Sequence, residues 1–285
     1  ETTSFATYSS SSVISALGPI TAITDDNSSE PPVPISFATT TNLVTTNRNN
    51  EVFFVHSPYV DAAVEIYEGA NGTASAASTV FAGQSTSYAV NIGGGNAGIL
   101  ESNEPVLLFT ENGTNDSYVA YPPTTRALFG IRSQNLNYAT AVGGTSVEVF
   151  CSNGTSGTTT GMTRGGLVTN SFCTAGSQGT GNAVMLANAT NPIAATQEAD
   201  SDGGESSRYL PTPEFGTRYI LPKDSQYVAI ACSPRLGAST IEVRTAAGGV
   251  IDSGTCTPAG SSLPGALVLT AGTLYTQGYQ VVSTN

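Results

Sequence analysis

The sequence predicts an all-β protein built from three tandem repeats, each about 87 residues long. Three observations carry this. Strand and turn formers dominate: Thr, Val and Tyr are frequent, and 31 Gly and 15 Pro punctuate the chain together with Asn and Ser. Helix formers other than Ala are scarce, Lys223 being the only lysine, and no segment longer than about eight residues has a helical apolar period. A block of proline, apolar run and acidic loop recurs three times.

The block begins at Gly18-Pro19-Ile20-Thr21-Ala22-Ile23, at Glu104-Pro105-Val106-Leu107-Leu108-Phe109 and at Asn191-Pro192-Ile193-Ala194-Ala195-Thr196. Its prolines are 86 and 87 residues apart. Acidic loops follow over Asp25 to Glu30, Glu111 to Ser117 and Glu198 to Glu205, then Pro-rich turns at Pro31-Pro32, Pro122-Pro123 and Pro211 to Pro213. Apolar strands come next: Val52 to Pro58, Val147 to Ser152 and Val228 to Pro234. In the third repeat the expected strands are Arg208 to Leu210, Thr217 to Leu221, Gln226 to Cys232, Thr240 to Arg244, Gly249 to Ile251, Ala266 to Leu269 and Tyr279 to Ser283. Thr240 to Arg244 alternates with period two, the mark of a half-buried strand. Seven or eight strands per repeat fit a β-sandwich unit or the blades of a closed, propeller-like ring.

The third repeat breaks off near Ser283, before its own Pro-apolar strand, while residues 1–30 carry such a piece at the other end. The phase is therefore circularly permuted. Residues 1–30 are expected to complete the last repeat or a neighbouring subunit, followed by repeats over 31–117, 118–205 and 206–285.

Cys151 and Cys173 lie 22 residues apart, and Cys232 and Cys256 lie 24 apart, in what looks like the same frame of repeats two and three. The first repeat has His56 and Val80 or Phe81 there. Two disulfides are expected, each closing one long hairpin, as against four buried thiols; a loop of that size contributes about 3 kcal/mol through the unfolded state. Such bonds point to an oxidising, extracellular or virion-surface setting. Sequons stand at Asn27, Asn71, Asn112, Asn115, Asn153 and Asn188, and permit glycosylation.

A net charge of −12 with nine scattered basic residues argues against nucleic acid and anionic membranes as partners. No run of 18 apolar residues occurs, which argues against membrane insertion through a helix. His56 is the only histidine and sits inside an apolar strand, and no Gly-x-Ser-x-Gly elbow or Gly-Lys phosphate loop accompanies it. The expectation is a non-enzyme without a cofactor. One ion is compatible: Asp200, Asp202 and Glu205, or Asp25, Asp26 and Glu30, supply closely spaced hard oxygens of the kind that hold Ca2+. A solvated acidic hairpin tip explains the same pattern.

The order running from Pro192 to Ala231 resembles repeats in structural proteins of marine tailed phages. Through Gly216-x-x-Tyr219-x-x-Pro222, the apolar strand after it, and the acidic residue before Pro-Val at Glu104 to Val106, it is also similar to the β-rich repeats of IgG Fc-binding-type extracellular proteins. Both resemblances imply adhesive or structural roles and carry over no catalytic residue. The expected function is a fibre, spike, decoration or filament subunit acting by self-association or attachment to other structural subunits. The alternative is a carbohydrate- or protein-binding adhesion module, with Tyr59, Tyr67, Tyr118 and Tyr121 clustered around a groove to hold a surface glycan or protein receptor.

Overall fold

The computed structural model describes residues 24–26, 28–30, 35–45, 51–93, 95–112, 117–120, 122–129, 135–170, 185–198, 206–208, 210–211, 216–221, 224–225, 228–270 and 274–285. These residues form β-strands, loops and one 3-10 turn at Ile35–Phe37, with no α-helix among them. The chain is all-β.

A short hairpin comes first: β1 (Thr24–Asp26) pairs with β2 (Ser28–Glu30). A first unit follows, of β3 (Thr39–Val44), β4 (Glu51–Ser57), β5 (Ala62–Glu68), β6 (Ala76–Val80), β7 (Gln84–Val90), β8 (Gly98–Asn112) and β9 (Ser117–Val119). The long strand β8 belongs to two sheets. Its N-terminal half lies between β3 and β5, with β6 beyond β5. Its C-terminal half lies between β4 and β9, with β7 beyond β4. Each sheet thus has four strand positions, and the inward residues of both, among them Phe53, Val55, Val64, Ile66, Leu100 and Leu108, form one core.

Proline explains where β8 changes sheets. It has no N–H to give, so a central strand tolerates it only at a break in the ladder. Pro105 falls between the pairing of Ser102 with Val64 and that of Leu107 with His56. Pro105 is therefore the corner of the unit.

The scheme recurs in β10 (Thr124–Phe129), β11 (Asn135–Thr140), β12 (Thr145–Cys151), β13 (Ser156–Met162), β14 (Val168–Asn170), β15 (Met185–Glu198) and β16 (Ser206–Arg208). Here β15 is the long strand, flanked by β10 and β12 before Pro192 and by β11 and β16 after it. Even the irregularity is repeated: Thr39 and Thr124 each stand at a register shift, and each side-chain hydroxyl accepts from the backbone N–H two residues on. The short β17 (Leu210–Pro211) pairs with β10.

The last unit contains β18 (Arg218–Ile220), β19 (Val228–Cys232), β20 (Ser239–Arg244), β21 (Val250–Cys256), β22 (Gly265–Leu269) and β23 (Gln280–Ser283). The order β18-β23-β20-β21 reproduces β3-β8-β5-β6, and β19-β22 reproduces β4-β7. The buried-exposed alternation expected for Thr240 to Arg244 is present in β20.

The ladders correct one alignment. Val147 to Ser152 overlaps β12, the counterpart of β5 and β20, whereas Val52 to Pro58 and Val228 to Pro234 overlap β4 and β19, whose counterpart is β11. All are short alternating apolar strands, and composition does not tell neighbours apart. Cys151 and Cys232 therefore occupy different places in their units.

Candidate functional site

The site that the topology isolates is a sheet edge. In the first two units β4 and β11 are paired on both sides, by β7 and β8 and by β14 and β15. The corresponding β19 is paired with β22 alone among the described residues. Unpaired backbone groups along an edge are a template for another strand.

One hydrogen bond recurs beside the long strand of each unit. Asn103 and Thr190 stand just before the corner and accept, through their side-chain oxygens, the backbone N–H of Ala63 at 2.7 Å and of Ser146 at 2.9 Å. Thr284 does the same for Thr240 at 3.0 Å. In the first two units the corner and the second half of the long strand follow. The sequence offers Pro19 and Ile20 to Asp26 as counterparts of Pro105 and Val106 to Asn112. Of these, Thr24–Asp26 is seen as β1, paired onward to β2 as β8 is to β9 and β15 to β16.

Units also meet face to face. Leu43 and Ile99 of the first unit join the core of the second, with Tyr67 packed against it. The receiving surface is the face of β11 and β15 that carries Asn137, Ala139, Ala194 and Thr196; the Thr196 hydroxyl bonds the Thr45 carbonyl at 3.1 Å. At the next junction Leu186 and Phe150 of the second unit pack on Ala231, Ala266 and Val268 of the third. The ladders make Tyr67 and Ile99 equivalent to Phe150 and Leu186. One face of each unit therefore docks on the opposite face of the next.

The first junction is tight. Gly165 and Gly95 carbonyls accept from Ala97 at 2.8 Å and Leu167 at 3.0 Å. A Cβ on Gly165, whose φ is +68°, would lie 2.2 Å from the Gly69 carbonyl oxygen. Arg164 bonds Glu101 at 3.0 Å and sits over the Tyr67 ring at 4.5 Å.

Two faces have no such partner among the described residues. In the last unit the equivalent positions are Ile220, Arg244 and Gln280, and Ile220 is 43% exposed. In the first unit the receiving face carries Phe54, His56, Leu107 and Phe109, all half-buried, with the two phenyl rings 6.0 Å apart. No core cluster among the described residues joins the first unit to the third.

The other expected residues are placed as follows. Cys232 and Cys256 are disulfide-bonded, with Cα atoms 6.1 Å apart. Because β19 pairs with β22 and β21 with β20, the bond joins the two sheets of a unit and does not close a hairpin. Cys151 is buried and disulfide-bonded; Cys173, its expected partner, lies outside the described residues. Asp25, Asp26 and Glu30 lie on the β1–β2 hairpin, while Asp200, Asp202 and Glu205 are outside the described residues. Among the described residues no three His, Cys, Asp or Glu side chains gather.

Asn71 and Asn153 occupy exposed turns, open to a glycan. Asn188 is half-buried in the middle of β15 with strands on both sides, and Asn112 ends β8. Asn27 and Asn115 are outside the described residues. Tyr59, 67% exposed, and Tyr67 sit at opposite ends of β5, so they do not share a groove. Tyr118 lies in β9, and Tyr121 is outside the described residues. His56 bonds the Ser85 hydroxyl at 3.1 Å on the open face. Burial holds its pKa below 6.5, partly opposed by a hydrogen bond with the Gln84 backbone. Among the described residues no helix is long and apolar enough to cross a membrane.

No protein-family model, curated protein or solved structure matches the chain.

Proposed function

We propose that this chain is a structural subunit of an extracellular or virion-surface assembly, a fibre, spike, decoration or filament, and works by association and not by catalysis. The observation that carries the reading is β19, paired on one side only among the described residues, in a unit whose two counterparts are paired on both sides. Edge strands left bare invite pairing, and strand addition is an established way for chains to join. Units that dock face to face in series supply the matching geometry, because a heterologous contact that does not close on itself propagates. The hydroxyl-rich, acidic sequence and the inter-sheet disulfide fit exposure outside a reducing compartment.

Electron microscopy of the native material tests the reading. Filaments, or regular density on a virion or cell surface, support it. Dispersed monomers at every concentration, with no attached density, count against it.

A further inference from the structure

We infer that Asn71 and Asn153 are acceptors for N-linked glycans, one in each of the first two units, at the centre of the same hairpin turn. The inference goes beyond the assembly reading and does not rest on it. It requires passage through a compartment that holds an oligosaccharyl transferase, whatever the chain then associates with.

The ladders place the two residues. Asn71 stands midway between Ile66 and Ala76, the last paired residues of β5 and β6. Asn153 stands midway between Phe150 and Ser156, the last paired residues of β12 and β13. The two hairpins are counterparts. Both turns carry the triplet Asn-Gly-Thr, over 71–73 and 153–155, and every residue of the two triplets is exposed. A glycan is bulky and hydrated, so its acceptor must stand at the surface. Asn188 differs: it is half-buried in β15, with β10 and β12 on either side.

The second turn brings the hydroxyl to the amide. The backbone N–H of Thr155 donates to Asn153 Oδ1 at 3.0 Å, and the Thr155 hydroxyl donates to the same oxygen. Gly154 allows this shape with a φ of +89°, and the Cys151 N–H closes the turn by donating to the Thr155 carbonyl at 2.8 Å. With its carbonyl so engaged, the amide presents its nitrogen for transfer. Asn Nδ2 forms a bond to the anomeric carbon of a polyprenyl-diphosphate-linked oligosaccharide. The bond from that carbon to the diphosphate oxygen breaks, the diphosphate leaves with the electron pair, and Nδ2 gives up one proton.

The third unit supplies an internal control. In its β20–β21 turn the Thr245 N–H donates to the Gly249 carbonyl at 2.8 Å, and the Gly248 N–H to the Thr245 carbonyl at 2.9 Å. The second unit matches this with the Gly154 N–H on the Cys151 carbonyl at 3.0 Å, and Gly248 has a φ of +91°. Yet the triplet here is Ala247-Gly248-Gly249, all exposed. The turn is present without the amide and hydroxyl that transfer needs. A Cβ on Gly249 would lie 3.5 Å from the Thr245 hydroxyl, an ordinary contact, so both groups can be installed.

The test is peptide mapping by mass spectrometry of native material, before and after an amidase that removes N-glycans. The same mapping is applied to N71Q, N153Q and A247N/G249T secreted from eukaryotic cells, each checked for wild-type circular dichroism. Native chain is expected to carry a glycan at Asn71 and at Asn153, each read as Asp after the amidase. N71Q and N153Q are each expected to lose one glycan's mass, and A247N/G249T to gain one in the β20–β21 turn. Native chain unmodified at either position overturns the inference. Secreted A247N/G249T without the added glycan shows that this turn does not present an acceptor, and overturns it as well. Neither result touches the assembly reading, which microscopy decides separately.

Discussion

Single residues carry the tightest constraints. Gly165 combines a left-handed φ with a backbone contact across the first junction, so a methyl group there meets both conformational strain and the Gly69 carbonyl. Gly165→Ala is expected to cost roughly 2–3 kcal/mol, read as a lower denaturant midpoint. Arg164→Ala, by contrast, removes a partly exposed ion pair and a cation–π contact, and about 1 kcal/mol or less is expected.

His56 makes a pH prediction with a definite sign. Its pKa in the folded chain lies below the ordinary 6.5, chiefly through burial. Just below that value the unfolded chain binds more protons than the folded one, so stability falls as the solution is acidified. His56→Asn is expected to flatten the Tm profile between about pH 7 and 5, and an unchanged profile contradicts the assignment. The sequence made His56 legible as a strand residue. Its place on an open face was not legible, because faces are defined by pairing.

At the scale of elements, the long strand organises each unit. Six of the seven strand segments expected in the third repeat overlap a strand of their own, and Arg208 to Leu210 spans the end of β16 and the start of β17. Alternation and turn residues are local signals that survive folding. The corner was visible only as a conserved-phase proline whose role in the ladder depends on partners distant in sequence. For the same reason Cys151 was set in the frame of Cys232, although the ladders separate them by a strand. The disulfide between β19 and β21 ties a two-stranded sheet to a four-stranded one. Replacing Cys232 and Cys256 by Ala is expected to lower stability by about 3 kcal/mol, and the loss should concentrate in the last unit. Hydrogen exchange checks this: faster exchange in β19 and β22 with β12 and β15 unchanged is the expected pattern, and uniform loss contradicts it.

For the whole molecule, the recurring block was legible in the sequence; the faces through which successive units dock were not. The first follows from counting blocks along the chain. The second needs the register, which makes Ile220, Arg244 and Gln280 equivalent to residues that dock elsewhere.

The corner strand also has a mechanical consequence. A pull along the array enters each unit through β8 or β15, which is anchored in two sheets at once, so both ladders must shear together before the strand can slide. β23 of the last unit is anchored in one sheet, by β18 and β20, so a stretched chain should yield there before β8 or β15 gives way.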